Sequence, residues 1–408
     1  MSGFFVRIVI VEVLELKRLL SEEVRQYIRQ NEACDIAALL LSGKSVNGVP
    51  ASTLADQIVS RRKAKIKLPH WFAQDKVIYP PPLSLEQASS AATGQYKASL
   101  CSGTNMIDIT GGMGIDASFF ADSFEALTYV EMQTDLVAVF THNAKMLGLN
   151  YIKVINSDGI EYLKSCQDDA FDLIYTDPAR RDPEANKVFA IHDCTPDIVS
   201  MQSLLLSKGR KVMIKLSPML DISHSLELLN HVEEVHVVAV NNECKELLFL
   251  LSRDFIGKPI IKTINIEKST NQYFDFYRQA ESEAMVTHGF INGFLYEPNA
   301  AVLKAGAYKL PADRFELSKL DIHTHLYTSD QQVENFPGKV YRILSAFGSQ
   351  KKEITKRLKG KKISIKTRNY PMTVAAIRNK YGFPDGDEAY VFFCQIAGKK
   401  MVLECVKI

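Results

Sequence analysis

The chain has 408 residues, of which 46% are hydrophobic and 24% are charged, and its formal net charge is +2. This length predicts roughly two to four domains rather than a single core, and the composition is that of an ordinary globular protein. Because the net charge is close to neutral, overall electrostatic attraction alone would not hold a polyanion to this chain. Such a partner would have to be bound by local basic patches.

Cysteine usage and the N-terminal apolar run indicate the compartment. The chain has seven cysteines, an odd number, and no C-x-x-C pair, which argues against a disulfide framework or a zinc knuckle. The apolar run at residues 4–16 carries Arg7, Glu12 and Glu15, so it is too short and too charged to cross a membrane. The sequence therefore predicts a soluble, cytoplasmic protein with no membrane partner.

Residues 1–82 are predicted to form a helical N-terminal domain. Apolar residues recur at spacings of three and four, for example through Val13, Leu16 and Leu20. Three consecutive prolines at 80–82 cannot enter a helix and make a stiff joint. We therefore place a domain boundary after residue 82.

Residues 83–254 alternate short apolar runs with amphipathic stretches, which predicts an α/β fold with parallel strands and crossover helices. The predicted parallel strands are 106–109, 127–131, 152–155, 171–176 and 211–216. Two further runs, 235–240 and 247–251, are separated by a link too short for a parallel crossover, so they must pair antiparallel. A plain dinucleotide-binding fold usually lacks such an antiparallel ending.

Residues 255–320 and 321–408 are predicted to form two smaller α+β units. Their strand patterns lie at 260–266, 362–366, 390–393 and 401–406. On a strand, Asp321, His323 and His325 would share one face, but the sequence offers them no fourth ligand. We therefore predict no metal site.

The glycine-rich stretch after the first parallel strand predicts a ligand site. Glycine lets the backbone turn sharply and lets a ligand lie against it, and the helix N-terminus behind the turn favours an anionic group. Asp108, at the end of the strand, can accept an amino group but would repel a pyrophosphate. Residues 112–117 also fit the G-x-G-x-x-A dinucleotide pattern, so the loop alone leaves an NAD-dependent oxidoreductase open.

Acidic residues also follow the next three strands. Glu131 can bind two ribose hydroxyls, Asp158 can accept an adenine amino group, and Asp177 lies where the reacting group would sit. Ligands of such sheets bind at the carboxyl ends of the strands. The predicted cofactor-binding residues are Asp108, Thr110, Gly111, Gly112, Gly114, Asp116, Glu131, Met132, Asp158, Gly159 and Asp177.

These motifs resemble motifs I to IV of class I S-adenosylmethionine-dependent methyltransferases. One departure is Thr110, where that family has the first glycine of its loop. Further blocks are similar to those of bacterial methyltransferases with a THUMP-like C-terminal domain, at residues 83–90, 177–182, 215–221, 242–247, 296–301 and 368–371. The resemblance implies a Rossmann-like methyltransferase sheet over 83–254, a ferredoxin-like unit at 255–320, a THUMP-like unit at 321–408, and S-adenosylmethionine as cofactor.

The fourth motif, Asp177-Pro178-Ala179-Arg180, bears on the methyl acceptor. Amine-directed nucleic-acid methyltransferases end this motif on an aromatic residue that stacks on a flipped base, whereas this chain has Arg180. The motif resembles that of pyrimidine C5 RNA methyltransferases, which need a thiolate near the end of the fifth strand. This chain has Lys215-Leu216-Ser217-Pro218 there, so Cys194 is the substitute that it offers.

Two basic runs, Arg61 to Lys67 and Lys351 to Arg368, favour RNA as the partner, although a charge run is often only a solvated surface. The predicted catalytic residues are Asp177, Pro178, Arg180 and Arg181. Asp177 would orient or deprotonate the acceptor, and the arginines would hold a base or its phosphate. We therefore predict methylation of a base in tRNA or rRNA. The alternatives are the NAD-dependent oxidoreductase and a catalytically silent RNA-binding protein.

Overall fold

The computed structural model describes residues 13–180, 191–289 and 291–408. The chain divides into two compact units. The first comprises Met1–Glu233 and Leu248–Gly257, and the second comprises Glu234–Leu247 and Lys258–Ile408. Within the described ranges, no helix is both long enough and apolar enough to span a bilayer.

The first unit begins with helices, as predicted. Asp35 accepts a hydrogen bond from the Ala37 amide at the start of one helix, and Ser90 and Thr93 form a capping box at another. The prediction that the three prolines at 80–82 stay outside a helix is wrong for Pro82, which begins a helix because its first turn needs no backbone N–H. The helices are α1 (Val13–Leu19), α2 (Glu22–Gln30), α3 (Ile36–Leu41), α4 (Ala51–Lys67), α5 (Pro69–Phe72), α6 (Pro82–Gln87) and α7 (Ala91–Ser99).

Strands and helices then alternate, which confirms the predicted α/β pattern. Each of the predicted parallel strands is present, because their apolar runs can be buried on both faces of a sheet. The elements are β1 (Gly103–Asp108), α8 (Ile115–Phe120), β2 (Phe124–Glu131), α9 (Thr134–Met146), β3 (Lys153–Asn156), α10 (Gly159–Ser165), β4 (Phe171–Thr176), β5 (Ala179–Arg180), β6 (Cys194–Thr195), α11 (Ile198–Lys208), β7 (Gly209–Leu216), α12 (Ile222–Leu228), β8 (Val232–Val240) and β9 (Glu243–Ser252).

The sheet of the first unit has the order β9-β7-β4-β1-β2-β3. β1 pairs in parallel with both β2 and β4, so the strand order reverses between β1 and β4. A reversal of this kind opens a crevice at the carboxyl ends of the strands. The centre of the sheet is apolar, and Ile107, Val130 and Ile174 are completely buried there.

The predicted antiparallel hairpin is formed by β8 and β9, which are neighbours in the sheet. They are joined by Asn241 and Asn242, whose φ angles of 50° and 66° are those of a two-residue hairpin turn. This turn is shorter than the predicted link, because β9 already begins at Glu243. A two-residue connection can join only antiparallel strands.

The second unit contains β11, β10, most of β8 and the first five residues of β9, and a seven-stranded sheet ordered β13-β14-β12-β15-β18-β17-β16. The predicted strands did not include β11 to β15, because β11 and β15 alternate buried with more exposed residues and β12 to β14 are only two to five residues long. The elements are β10 (Ile260–Ile266), β11 (Gln272–Tyr277), α13 (Arg278–Glu283), β12 (Phe294–Pro298), α14 (Ala300–Lys304), α15 (Leu310–Arg314), β13 (Ser318–Lys319), β14 (Tyr327–Ser329), β15 (Gly338–Gly348), α16 (Lys351–Leu358), β16 (Ile363–Arg368), α17 (Val374–Tyr381), β17 (Ala389–Ile396) and β18 (Lys399–Lys407).

Residues 321–325 form a loop and not the strand that would align their polar side chains. The His325 ring stacks on Tyr308, with ring centroids 4.1 Å apart. Among the residues that the structure describes, no three His, Cys, Asp or Glu side chains converge as a metal site would require.

Candidate active site

Polar residues gather at the carboxyl ends of the central strands. Asp108 ends β1, Asp177 follows β4, and Lys215 lies near the end of β7. Thr176 is in register with Ile214, so the residues that follow them, Asp177 and Lys215, also lie side by side. Together with the glycine turn they line one cleft, whose walls are Pro80, Pro81, Ser84, Ala88, Ser89, Asp108, Thr110, Gly111, Gly112, Met113, Ile115, Asp116, Leu136, Tyr175, Asp177 and Lys215.

The glycine turn has the shape of a ligand cradle. A Cβ on Gly111 would lie 2.2 Å from the Tyr129 ring, and one on Gly114 would lie 1.9 Å from the Phe140 ring. Gly112 has a φ of 53°, and among the described residues beyond its two chain neighbours the nearest atom to the place of its missing Cβ is the Thr110 carbonyl oxygen at 3.9 Å. The turn is therefore packed on one side and presents bare backbone to the cleft on the other.

Thr110 is the departure from the methyltransferase pattern, and the structure gives it a role. Its hydroxyl accepts a hydrogen bond of 2.7 Å from the Asp177 amide and lies 3.4 Å from Oδ1 of Asp108. Its own amide donates to the same Oδ1 at 3.0 Å. Thr110 thus links the ends of β1 and β4, which a glycine could not do through a side chain.

Asp108 is almost completely enclosed, with 1% of its surface exposed. Burial raises the pKa of its carboxyl to about 8, and the acidic neighbours Asp116, Asp177 and Glu131 act in the same direction. The Thr110 amide opposes this shift but does not cancel it. Among the residues that the structure describes, no Lys, Arg or His forms an ion pair with Asp108, and a buried carboxyl in this setting fits a ligand that brings a positive charge, such as an amino group.

Glu131 holds the glycine turn in place. Its Oε2 accepts a hydrogen bond from the Gly112 amide at 2.9 Å, and its Oε1 accepts one from the Gln133 amide at 2.8 Å. Each carboxylate oxygen has a further lone pair, so these bonds are compatible with hydrogen bonds to ribose. The role of Glu131 in ribose binding stays a prediction.

Five of the predicted cofactor residues lie outside the walls of the cleft, namely Gly114, Glu131, Met132, Asp158 and Gly159. Asp158 caps α10 and accepts hydrogen bonds from the Ile160 and Glu161 amides at 2.8 and 3.0 Å. Gly159 packs so closely that a Cβ would lie 2.1 Å from the Ile109 carbonyl oxygen. Met132 is 66% exposed. Asp158 and Gly159 therefore have local structural roles in addition to any contact with a cofactor.

A network of charges extends from the wall of the cleft into the protein, and Asp116, predicted to bind the cofactor, lies at its centre. Lys97 is completely buried, and its ammonium lies 3.3 Å from Oδ1 of Asp116. Oδ2 of Asp116 accepts a hydrogen bond of 2.7 Å from the Tyr175 hydroxyl and lies 3.6 Å from the Lys215 ammonium. Burial alone would raise the pKa of Asp116, but Lys97 and Lys215 hold that pKa well below the ordinary aspartate value.

The sequence offered a signal for only one of these residues. Lys215 ends a predicted strand, as the acidic residues do, so its position at the same edge could have been inferred from the strand pattern. Lys97 and Tyr175 lie inside a helix and a strand with no motif around them. A lysine in a helix is ordinarily exposed, so nothing in the sequence indicates its burial.

The structure describes only part of the predicted catalytic set. Pro178 is buried beside Asp177, and Arg180 lies in β5, which pairs antiparallel with β6. Arg181 and Asp182 lie outside the described residues. The backbone pairing places Cys194 opposite Arg180, and Cys194 is 1% exposed. Cys194 is therefore beside the fourth motif, although its side chain is enclosed.

The basic run from Arg61 to Lys67 is directed mainly toward its own unit. Arg61 forms an ion pair with Glu32, and Arg62 donates a hydrogen bond of 2.6 Å to the Cys34 carbonyl oxygen. Lys63 pairs with the carboxylate of Glu86, and Lys67 donates to the carbonyl oxygen of the same residue. These contacts bind α4 to neighbouring segments, so the run presents less charge to a polyanion than its sequence predicted.

Comparisons with known proteins agree with this architecture. Residues 294–337 match a family of ferredoxin-like domains, and residues 338–407 match a family of THUMP-like domains. A protein from Porphyromonas gingivalis W83, assigned as a methyltransferase, has a crystal structure similar to this chain. The two are 31% identical and align with a TM-score of 0.83 over 96% of this chain and 98% of that chain.

Two more distant structures are similar to part of the chain. TrmK of M. capricolum, solved with S-adenosylhomocysteine, is 12% identical over 40% of this chain and 68% of that chain, with a TM-score of 0.32. An rRNA methylase from Streptococcus thermophilus is 14% identical over 40% of this chain and 93% of that chain, with a TM-score of 0.29. Both similarities are too weak to bear on function. No protein of curated function matches the chain in sequence.

Proposed function

The chain belongs to the class I S-adenosylmethionine-dependent methyltransferases with a THUMP-like C-terminal domain, and we propose that it methylates a base of tRNA or rRNA. The observation that carries this proposal is the basic surface of α16, which lies within the THUMP-like residues. Dense positive charge on a small appended domain is what binding to a phosphate backbone requires.

Helix α16 presents its cations to solvent because its apolar residues anchor the opposite face. Ile354 and Leu358 are completely buried. Lys352 and Lys356 are exposed and lie four residues apart, so they are neighbours on one face of the helix, and the exposed Lys359 follows directly after its end. The further exposed cations of this surface are Lys351, Arg357 and Lys362.

The later cations of the same basic run have partners within the second unit. Lys361 pairs with Glu404, and Lys366 pairs with the buried carboxylate of Glu297. Arg368 donates a hydrogen bond of 2.6 Å to that same carboxylate. The proposed RNA surface is therefore α16 and the residues beside it, and not the whole run from Lys351 to Arg368.

In the proposed reaction, S-adenosylmethionine supplies an activated methyl group, and the chain aligns it with the acceptor. Asp108 would accept the amino group of the cofactor, and Gly112 would lie against it. Glu131 would bind its ribose. Asp177 would orient or deprotonate the acceptor, while Arg180 and Arg181 would hold the base or its phosphate.

We expect the double substitution Lys352→Ala and Lys356→Ala to weaken RNA binding about tenfold near physiological salt. The logarithm of the binding constant should also fall less steeply with the logarithm of the salt concentration, by about two in the slope. Each lysine that contacts a phosphate releases about one counterion. The measurement is a titration of tRNA and rRNA at several salt concentrations. The matched control is Lys145→Ala with Lys268→Ala, which removes the same charge from exposed positions elsewhere. Equal weakening by both pairs would argue against a specific surface on α16.

The acceptor class is tested by incubation with tritium-labelled S-adenosylmethionine and separate pools of tRNA, rRNA, protein and metabolites. We expect label in one RNA pool. Label in protein or metabolites alone would contradict the proposal. Binding of cofactor and RNA without transfer of label to any pool would favour the catalytically silent alternative.

Cofactor binding should depend on pH through Asp108, whose pKa is raised to about 8. Below that pH the carboxyl is protonated and cannot pair with a cationic amino group. Affinity for S-adenosylhomocysteine should therefore rise as the pH increases from 6.5 toward 8, with release of a proton on binding. Calorimetry in buffers of different ionisation enthalpy measures both effects. A flat profile would show that Asp108 does not face the amino group.

A further inference from the structure

Lys215 occupies a place in the cleft that the reaction described so far does not use. Its side chain is 13% exposed, and its ammonium lies 2.5 Å from Oδ2 of Asp177. Parallel pairing of β4 with β7 places the two residues together, so their proximity follows from strand register. A cation thus stands directly beside the residue that is expected to face the acceptor.

The groups around Lys215 hold its ammonium at this position. Asp177 approaches it from the end of β4, and Asp116 from α8. Asp116 is also engaged by Lys97 from α7 and by the Tyr175 hydroxyl from β4, so its negative charge is shared. Asp108 lines the same cleft from β1. Lys215 is therefore fixed between two carboxylates, and one of these already has a second buried cation.

This arrangement distinguishes between kinds of acceptor. An exocyclic amine gains positive charge as it is methylated; the Asp177 carboxylate could offset that charge, but it is already paired with the Lys215 ammonium, which opposes the change. A ring lactam, an N–H next to a carbonyl as at N3 of uracil or N1 of guanine, reacts after it has lost its proton. Its negative charge then extends onto the carbonyl oxygen, where an ammonium group in an enclosed cleft is strongly stabilising.

We propose that Lys215 is a catalytic residue that stabilises the anionic form of a lactam acceptor, N3 of uracil or N1 of guanine. This inference rests on the proposed methylation of RNA. The acceptor loses its proton to solvent before transfer. The lactam nitrogen then attacks the methyl carbon, and the N–C bond forms as the C–S bond breaks. No proton remains to be removed afterwards, so Asp177 orients the base and keeps Lys215 in place.

The first test is to digest the methylated RNA and identify the labelled nucleoside by chromatography and mass spectrometry. The proposal expects 3-methyluridine or 1-methylguanosine, and the two are separated in the same run. Label on an exocyclic amine, on N1 of adenine or on C5 of a pyrimidine would overturn the role of Lys215 while leaving RNA methylation intact. Absence of label from RNA would instead refute the proposed function, and this inference with it.

The second test compares Lys215→Met and Lys215→Arg under single-turnover conditions. We expect Lys215→Met to slow methyl transfer at least tenfold and to change the affinity for S-adenosylhomocysteine by no more than a few-fold. The rate should reach its plateau at a pH about one unit higher than in the parent. Lys215→Arg keeps the charge and should restore part of the rate. An unchanged pH profile in Lys215→Met would overturn the proposal.

A matched control separates this effect from the loss of an ion pair as such. Lys208 lies immediately before β7, is 12% exposed, and pairs with Oδ1 of Asp168 at 2.8 Å. Lys208→Met therefore removes a similar ion pair from the amino-terminal end of β7, away from the cleft. We expect it to change the melting temperature without moving the pH profile, whereas a shift equal to that of Lys215→Met would count against a catalytic role.

Discussion

Asp108→Asn is expected to abolish tight cofactor binding while making the free protein more stable. An asparagine keeps the size of the side chain and the oxygen that accepts the Thr110 amide. It cannot pair as an anion with the amino group of the cofactor. A hydrogen bond to a charged group contributes about 1.5–3 kcal/mol, so affinity for S-adenosylhomocysteine should fall at least tenfold.

The expected gain in stability follows from the pKa of Asp108, which is about 8 in the folded chain and 3.8 for an ordinary aspartate. Because the folded state binds the proton more tightly, ionisation costs stability, and this cost grows as the pH rises from about 4 to about 8. Asparagine has no such cost, so the melting temperature of the variant should exceed that of the parent at pH 7.5.

Calorimetry and thermal unfolding of the same samples measure both effects. Asp172→Asn is the control. This aspartate lies in the adjacent strand β4, at the end away from the cleft, and accepts a hydrogen bond from the Thr104 amide at 2.8 Å. We expect it to leave cofactor affinity unchanged. If Asp108→Asn bound S-adenosylhomocysteine as tightly as the parent, the assignment of Asp108 to the amino group would be wrong.

The catalytic sheet could be predicted because local sequence determines most of it. The second half of β1, from Met106, and most of β4 are buried, and both appear in the sequence as short apolar runs. The short link after β8 similarly allowed only an antiparallel neighbour. By contrast, β15 alternates buried residues such as Tyr341 with exposed ones such as Arg342, and no continuous run marks it.

The functions of charged residues were harder to predict, because they depend on partners that are distant in sequence. The run from Arg61 to Lys67 looked like an RNA surface, yet Arg61 and Lys63 pair with Glu32 and Glu86. Asp108 could be identified because it ends an apolar strand before a glycine turn. The ion pair between Lys97 and Asp116 has no comparable local pattern, and only the folded chain reveals it.

Lys97→Met is expected to destabilise the first unit strongly. The Lys97 ammonium is completely buried between Oδ1 of Asp116 at 3.3 Å and Oγ of Ser89 at 3.1 Å. Removing one partner of a buried ion pair costs about 3–5 kcal/mol, and here it leaves Asp116 with Lys215, at 3.6 Å, as its cation. The free energy of unfolding, measured with urea, should fall by that amount.

The double variant Lys97→Met with Asp116→Asn shows whether this loss comes from the unpaired charge. Because asparagine is neutral, the double variant should regain more than half of the stability that Lys97→Met loses, and the two substitutions should be strongly non-additive. Additive effects would indicate that Lys97 contributes by packing alone. Since Asp116 also contacts Lys215, the double variant should still transfer methyl groups more slowly than the parent. Recovered stability with a slow reaction would show that the buried pair serves both the fold and the position of Lys215.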